Sequence, residues 1–179
     1  MPAPPRHPDR YTAEDVLTRP PDPHHRVELL GGALLLLPRP DLRYRRAVEH
    51  LAAALRRAVV PPFEVLRDAR VLVPDGLPVP DLVVADTTDA GLVLSADRVL
   101  VVAEADPPAS RTITRLARSD RYAAAGIPHY WRLDLDPAPV LHLGGLERGG
   151  YVDRIVRPGE STALGEPFPF DFDPASLRR

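Results

Sequence analysis

The chain of 179 residues contains no cysteine and no lysine, so all 23 of its Lys-or-Arg positions are arginines. Without cysteine, disulfide bonds, thiol catalysis and cysteine-ligated zinc sites are excluded. Asparagine and glutamine are also absent, which removes the usual bidentate readers of adenine. Arginine, alanine and proline replace other residue types throughout, as GC-rich coding would produce. The absence of lysine is therefore not by itself a sign of a local functional demand.

Long apolar runs and an excess of positive charge are missing too. No stretch approaches the roughly 18 apolar residues of a membrane span, and the beginning of the chain lacks the apolar core of a signal peptide. We therefore expect a cytoplasmic protein. A formal net charge of −2 excludes a strongly basic protein that coats nucleic acid, so any affinity for nucleic acid has to come from a local patch.

The length and the hydrophobic content of 44% predict one globular domain with a real core. We expect a flexible, proline-rich tail over residues 1–10 and a single domain over residues 11–179. Apolar spacing predicts a short helix, a hairpin around Gly31-Gly32, a long helix over 41–59, several strands, a helix over 109–125 and further strands. This order predicts an α+β fold, with a mixed sheet flanked by helices. The segment 168–177 is expected to pack loosely or to end in a short helix.

Two short apolar runs carry acids at their ends. They are Val79-Pro80-Asp81-Leu82-Val83-Val84 and Val101-Val102-Ala103-Glu104-Ala105-Asp106. Each run is typical of a buried strand. Acids at the ends of neighbouring buried strands suit a hard divalent cation, which prefers oxygen ligands. The pair therefore suggests metal-dependent phosphodiester chemistry, with Mg²⁺ or Mn²⁺ as the cofactor.

These runs belong to a larger pattern. The other matching stretches are Arg26-Val27-Glu28-Leu29-Leu30-Gly31-Gly32-Ala33-Leu34 and Arg121-Tyr122-Ala123-Ala124-Ala125-Gly126-Ile127-Pro128-His129-Tyr130-Trp131. In this order and spacing, the chain resembles the Uma2 family of restriction endonuclease-like proteins, members of the PD-(D/E)xK nuclease superfamily. The resemblance implies a restriction-endonuclease-like fold and metal-dependent cleavage of nucleic acid, most often DNA.

The resemblance also assigns roles to particular residues. It places the family's two strand-end acids on Asp81 and Glu104, which become the expected catalytic residues and metal ligands. Its hairpin glutamate falls on Glu28, a supporting residue. Its helix lysine falls on Arg118, which can offset phosphate charge but cannot accept a proton, since its pKa exceeds about 12.

Three further positions depart from the family pattern or add to it. The histidine that is usual at the start of the long helix falls on Tyr44, and the serine that is usual after the second acidic strand falls on Pro107. Asp106 lies on the strand face of Glu104, where it could add a ligand or repel phosphate. Arg111, Arg115 and Arg118 recur at helical spacing and form a candidate nucleic-acid-binding track, although a solvated stripe is the default for such a pattern.

Simpler interpretations compete with these. A strand-end aspartate after proline is often only a turn or capping residue, and Glu28 could equally pair with Arg26 or a helix arginine at the surface. Tyr130 and Trp131 are interpreted as packing residues. Three hypotheses therefore stand side by side: a metal-dependent nuclease weakened by Arg118, a degenerate relative that binds nucleic acid or a protein without cutting, and an interaction protein resembling toxin–antitoxin components. A nuclease that cuts two strands would gain from a homodimer.

Overall fold

The computed structural model describes residues 10–105 and 113–178. The predicted tail, apart from Arg10, lies outside these ranges, as do Asp106, Pro107 and Arg111. Within these ranges the α-helices are Ala13–Leu17 (α1), Leu42–Ala58 (α2) and Ile113–Ala124 (α3). The strands are His25–Leu30 (β1), Ala33–Pro38 (β2), Phe63–Arg67 (β3), Val71–Leu72 (β4), Gly76–Leu77 (β5), Leu82–Asp86 (β6), Leu94–Ser95 (β7), Val99–Ala105 (β8), His129–Asp134 (β9), Val140–Glu147 (β10) and Gly150–Val156 (β11).

A six-stranded mixed sheet forms the centre of the fold, in the order β11-β10-β9-β8-β6-β3. Only β8 and β9 run parallel, and the connection between them carries α3, as a parallel pair requires a long crossover. All other neighbours are antiparallel. The predicted α+β class, with helices flanking a mixed sheet, is confirmed.

A second, three-stranded sheet has the order β2-β1-β5. Its β1–β2 hairpin turns at Gly31 and Gly32, whose φ angles of 63° and 80° lie in the left-handed region that glycine adopts without strain. The predicted hairpin is therefore confirmed. Helix α1 precedes it and begins at a capping box, in which Thr12 and Asp15 bond to each other's backbone.

The alternation of side chains along the strands divides the core into two layers. On β8, Val101 and Ala103 face the layer that contains α2, whereas Val102 faces the layer that contains Tyr122 of α3. Since side chains alternate along a strand, Glu104 belongs to the same layer as Val102. On β6, Val83 also faces the α3 layer. Asp81 lies two residues earlier, so its side chain is expected on the same face of the sheet.

The end of the chain packs more tightly than the sequence suggested. Phe168, Phe170 and Phe172 are buried in the α2 layer, and the Phe170 ring stacks on Trp131 with centroids 5.4 Å apart. Loose packing was therefore the wrong expectation, because the alternating aromatic residues pack against Trp131 within the α2 layer. The predicted short helix is present as a 3₁₀ helix over Pro174–Arg178.

Two predicted boundaries also change. Among the several strands predicted between the two long helices, the sequence stretch 70–73 contributes only the two residues of β4, for which the described part of the chain shows pairing with the equally short β7. The helix expected from residue 109 is described from Ile113, and its predicted beginning lies outside the described ranges. Among the helices of residues 10–105 and 113–178, none has the length and apolar character needed to cross a membrane.

Two adjacent glycines of β10 give a matched test of packing. A Cβ at Gly144 would lie 2.5 Å from the Tyr130 carbonyl oxygen, whereas a Cβ at Gly145 meets nothing within 4 Å. We expect Gly144→Ala to lower the free energy of unfolding by about 1–3 kcal/mol through overpacking, and Gly145→Ala to leave it nearly unchanged. Urea denaturation measures both. Equal stability of the two variants would contradict the close approach of β9 to Gly144.

Candidate active site

Asp81 and Glu104 come together as neighbours across two paired strands. Strands β6 and β8 are antiparallel, with Leu82 opposite Ala103, so Asp81 immediately precedes one member of that pair and Glu104 immediately follows the other. The predicted adjacency of the two acidic strands is confirmed. One Asp81 oxygen, Oδ2, accepts a hydrogen bond of 2.8 Å from the backbone N–H of Ala105, which fixes the carboxylate beside the end of β8.

Glu28 reaches the same place from the other sheet. It lies on β1 and is completely buried, so the alternative that placed its ion pair at the surface is wrong. Both of the partners considered for it are present: Arg26 Nε lies 3.1 Å from Glu28 Oε1, and Arg118 Nη2 donates to Glu28 Oε2 at 2.8 Å. The hairpin glutamate is therefore an internal counter-charge.

Arg118 is the centre of the cluster. From α3, its guanidinium donates to Glu28 Oε2 through Nε and Nη2 and to Glu104 Oε2 through Nη1, at 3.2, 2.8 and 3.3 Å. The side chain is only 2% exposed. A planar guanidinium can bridge two carboxylates in this way because it presents several N–H donors in a fixed arrangement. The position where the family carries lysine thus faces both Glu28 and Glu104.

Two tyrosines complete the surroundings of Glu104. Tyr122, one helical turn after Arg118 on α3, donates to Glu104 Oε1 at 2.9 Å. Tyr130 of β9 donates to Glu104 Oε2 at 2.8 Å, and the two rings lie 5.2 Å apart. The interpretation of Tyr130 as a packing residue was incomplete. Tyr130 and Trp131 are consecutive on β9, so their side chains face opposite sides of the sheet, and Tyr130 lies on the side of Glu104. This alternation could have indicated the contact from the sequence.

Arg26 is the residue of the cluster that the sequence analysis missed as a functional candidate. Its Nη1 donates to Asp81 Oδ1 at 2.7 Å, and the same guanidinium lies against Glu28. Arg26 precedes Glu28 by two residues on β1, so both side chains leave the strand on one face. This spacing was visible in the Arg26-Val27-Glu28 stretch. We refer to Arg26, Glu28, Asp81, Glu104 and Arg118 as the carboxylate–arginine cluster.

Burial and charge determine the protonation of the cluster. Burial raises the pKa of Glu28 above its ordinary value, although Arg118 and Arg26 both oppose this shift. Burial would lower the pKa of Arg118, but the charges of Glu104 and Glu28 outweigh it and raise the pKa. Burial and the nearby Glu104 raise the pKa of Tyr122, so its hydroxyl remains a donor. The arginines are therefore permanent cations among the three carboxylates.

The donor set of the cluster suits a hard divalent cation. Asp81, Glu104 and Glu28 supply only carboxylate oxygens, and together they exceed the positive charge of Arg26 and Arg118 by one. Glu28 Oε1 is buried without a hydrogen bond. Both oxygens of Asp81 and both of Glu104 already accept hydrogen bonds, so an ion would bind in competition with the guanidinium groups. In the part of the chain that the structure describes, no three His, Cys, Asp or Glu side chains form a ready-made metal cage.

The other candidate residues lie elsewhere. Tyr44 donates to Asp136 at 3.0 Å, so this position joins α2 to the turn after β9. Arg115 is partly exposed, and the hydrogen bonds and ion pairs described for the cluster do not include it. Asp106 and Arg111 lie outside the described residues, and their predicted roles stay predictions.

Comparison with known proteins agrees with this arrangement. The computed structure is similar to a crystal structure described as "a putative nuclease belonging to DUF820" from Anabaena variabilis ATCC 29413, with a TM-score of 0.69. The match covers 92% of this chain and 95% of that chain at 13% sequence identity, and it therefore bears on the fold alone. Among curated proteins, no match is found. The family model described as "Putative restriction endonuclease", Uma2, matches residues 13–177, and the chain belongs to this family of restriction endonuclease-like nucleases.

Proposed function

We propose that the protein is a metal-dependent nuclease that hydrolyses phosphodiester bonds in DNA at the carboxylate–arginine cluster. The observation that carries the proposal is the convergence of Asp81 and Glu104 from adjacent strands, with Arg118 bound to Glu104. Asp81 and Glu104 would hold a Mg²⁺ or Mn²⁺ ion, with Glu28 in support. When bound, such an ion lowers the pKa of a water molecule and stabilises negative charge on the phosphoryl group.

The protein's own side chains have distinct parts in this proposal. Tyr122 and Tyr130 hold the Glu104 carboxylate through its two oxygens, which fixes its orientation. Arg118 contributes a positive charge that can offset the charge of the phosphate. Because arginine cannot accept a proton, Arg118 does not serve as the general base, and we expect the wild-type protein to cut slowly.

A second candidate function is supported by the burial of Arg118. Its guanidinium already forms ion pairs with Glu28 and Glu104, and a buried ion pair of this kind resists separation because each partner would be left without compensation. On this hypothesis the cluster is a structural counter-ion network, and the protein binds nucleic acid or another protein without cutting. The two candidates differ in whether a divalent cation displaces the arginine contacts.

Metal binding gives the first test. We expect wild-type protein to bind Mn²⁺ in isothermal titration calorimetry, and Asp81→Asn to reduce the affinity at least tenfold because it removes a charged oxygen ligand. Asp97→Asn, which changes an exposed carboxylate elsewhere, should bind as wild type does. Equal Mn²⁺ binding by the Asp81 variant and wild type would place the metal away from the cluster.

Replacing the central arginine gives the second test. A lysine at 118 can hold a water molecule and exchange a proton, so we expect Arg118→Lys to raise the rate of plasmid cleavage, with an absolute requirement for Mg²⁺ or Mn²⁺. The matched control is Arg57→Lys, an exposed arginine of α2 outside the cluster, which should leave the rate unchanged. If wild type cuts rapidly and Arg118→Lys cuts more slowly, arginine supports catalysis better than lysine at this position, and the expectation of a weakened site is wrong. Absence of cleavage by both proteins across metals and substrates would favour the non-catalytic function.

A further inference from the structure

A groove of about 690 Å³ adjoins the carboxylate–arginine cluster. Its lining comes from the segment between α1 and β1, from Arg39 and Pro40, and from residues within 66–70 and 90–94. Arg26 and Val79 both line it. Arg26 also binds Asp81, and Val79 precedes Asp81 by two residues. Arg26 is therefore the residue that the groove and the cluster share.

The side of the cluster that faces the groove is more exposed to solvent than the rest of the cluster. The side chains of Glu28, Glu104 and Arg118 are at most 2% exposed, whereas those of Asp81 and Arg26 are 10% and 19% exposed. A ligand that approaches from solvent thus meets Arg26 and Asp81 before the other three residues. A ligand in the groove therefore approaches the three carboxylates of the cluster from the side of Arg26 and Asp81.

The groove is positively charged in a protein whose net charge is negative. Besides Arg26 it contains Arg19, Arg39 and Arg70, against Asp22 and Asp68. Among the described residues, none of these three additional arginines forms an ion pair with a carboxylate. Asp22 accepts hydrogen bonds from the backbone N–H groups of His24 and His25, so its charge is partly committed. Arg39 Nε donates to the Pro23 carbonyl oxygen and the Arg19 guanidinium lies over the Tyr11 ring, contacts that leave their positive charges without a carboxylate. Guanidinium groups of this kind along a groove are an electrostatic match for a phosphodiester backbone.

We infer that this groove binds a single strand of nucleic acid and guides its backbone to Arg26, an inference that rests on the proposed nuclease function. The scissile phosphate has to approach a buried cluster beside a concave channel. The convex backbone of an intact duplex cannot follow it, whereas a single strand or an unpaired end can. Leu92, whose side chain is 87% exposed on the wall of the groove, offers an apolar contact for a base.

The lining also indicates how a strand is recognised. It contains no Phe, Tyr or Trp among the described residues, so it lacks the aromatic stacking platforms that many single-strand binders use. Binding then depends mainly on phosphate contacts, which carry no sequence information. We therefore expect weak dependence on base sequence and strong dependence on salt.

Fluorescence anisotropy in EDTA tests binding without cleavage. We expect a labelled 12-nucleotide oligo(dT) to bind wild type at least tenfold more tightly than a 12-base-pair duplex. Arg39→Glu/Arg70→Glu should weaken the single-strand complex at least tenfold. Its plot of log K against log salt should become shallower by about 1.4, since two phosphate contacts are lost and each contributes about 0.7 for single strands. The control Arg45→Glu/Arg57→Glu makes the same change in net charge on exposed positions of α2 outside the groove.

Two results would overturn the inference: a duplex that binds as tightly as the single strand, or groove and control variants that lose affinity equally. Cleavage assays distinguish failure of the groove inference from failure of the proposed nuclease function. If single-strand binding depends on the groove but no variant cuts, the groove stands and catalysis fails. If duplex DNA is cut equally by wild type and the groove variant, catalysis stands and the groove inference fails.

A cysteine-directed crosslink gives a measurement that does not depend on charge reversal. Because the chain has no native cysteine, Leu92→Cys carries one thiol, at the groove, and Val152→Cys carries one on β11, where the side chain is 56% exposed. After attachment of a photoreactive group, oligo(dT) should crosslink to the first protein and not to the second. Equal crosslinking of both would contradict binding in the groove.

Discussion

The bridge from Arg118 to Glu28 and Glu104 is the interaction on which the rest of the site depends. It joins a helix, the small sheet and the central sheet at a buried point. Removing one partner from such a buried pair typically costs about 3–5 kcal/mol, because the remaining charge has no compensation. The same bridge decides the chemistry, since any divalent cation that binds Glu104 has to compete with this guanidinium. Stability is therefore favoured when Arg118 stays bound to Glu104, whereas the proposed metal binding requires this contact to weaken.

The sequence predicted the members of the cluster better than their surroundings. Asp81 and Glu104 could be identified because each ends a short apolar run, and Arg118 because it lies four residues before Tyr122 in a recognisable stretch. Their convergence follows from strand alternation once β6 and β8 are paired, and a reader of the sequence can apply that rule. The order of helices and strands was predictable for the same reason, since it rests on local periodicity.

Other features could not be read from the sequence because they depend on long-range packing. The burial of Glu28 requires the small sheet to lie against α3, and no local pattern around Glu28 specifies that. Arg26 was missed because an arginine at the start of a strand is usually solvated. The tight packing of Phe168, Phe170 and Phe172 depends on Trp131, far away in the chain. The groove likewise brings together several segments that are far apart in the chain, and its arginines are distinguishable from other surface arginines only in three dimensions.

The separation of the two sheets has a consequence for local stability. Within the described residues, no ladder of backbone hydrogen bonds joins the β2-β1-β5 sheet to the six-stranded sheet, and side chains such as Arg26 and Glu28 make the connection. Units that share no ladder of backbone hydrogen bonds open at a lower free energy than the central strands of a ladder. Amide hydrogens of β1 and β2 should therefore exchange with solvent before those of β8 and β9. Each such opening withdraws Glu28 from Arg118, so the mobility of the hairpin and the electrostatics of the site are one equilibrium.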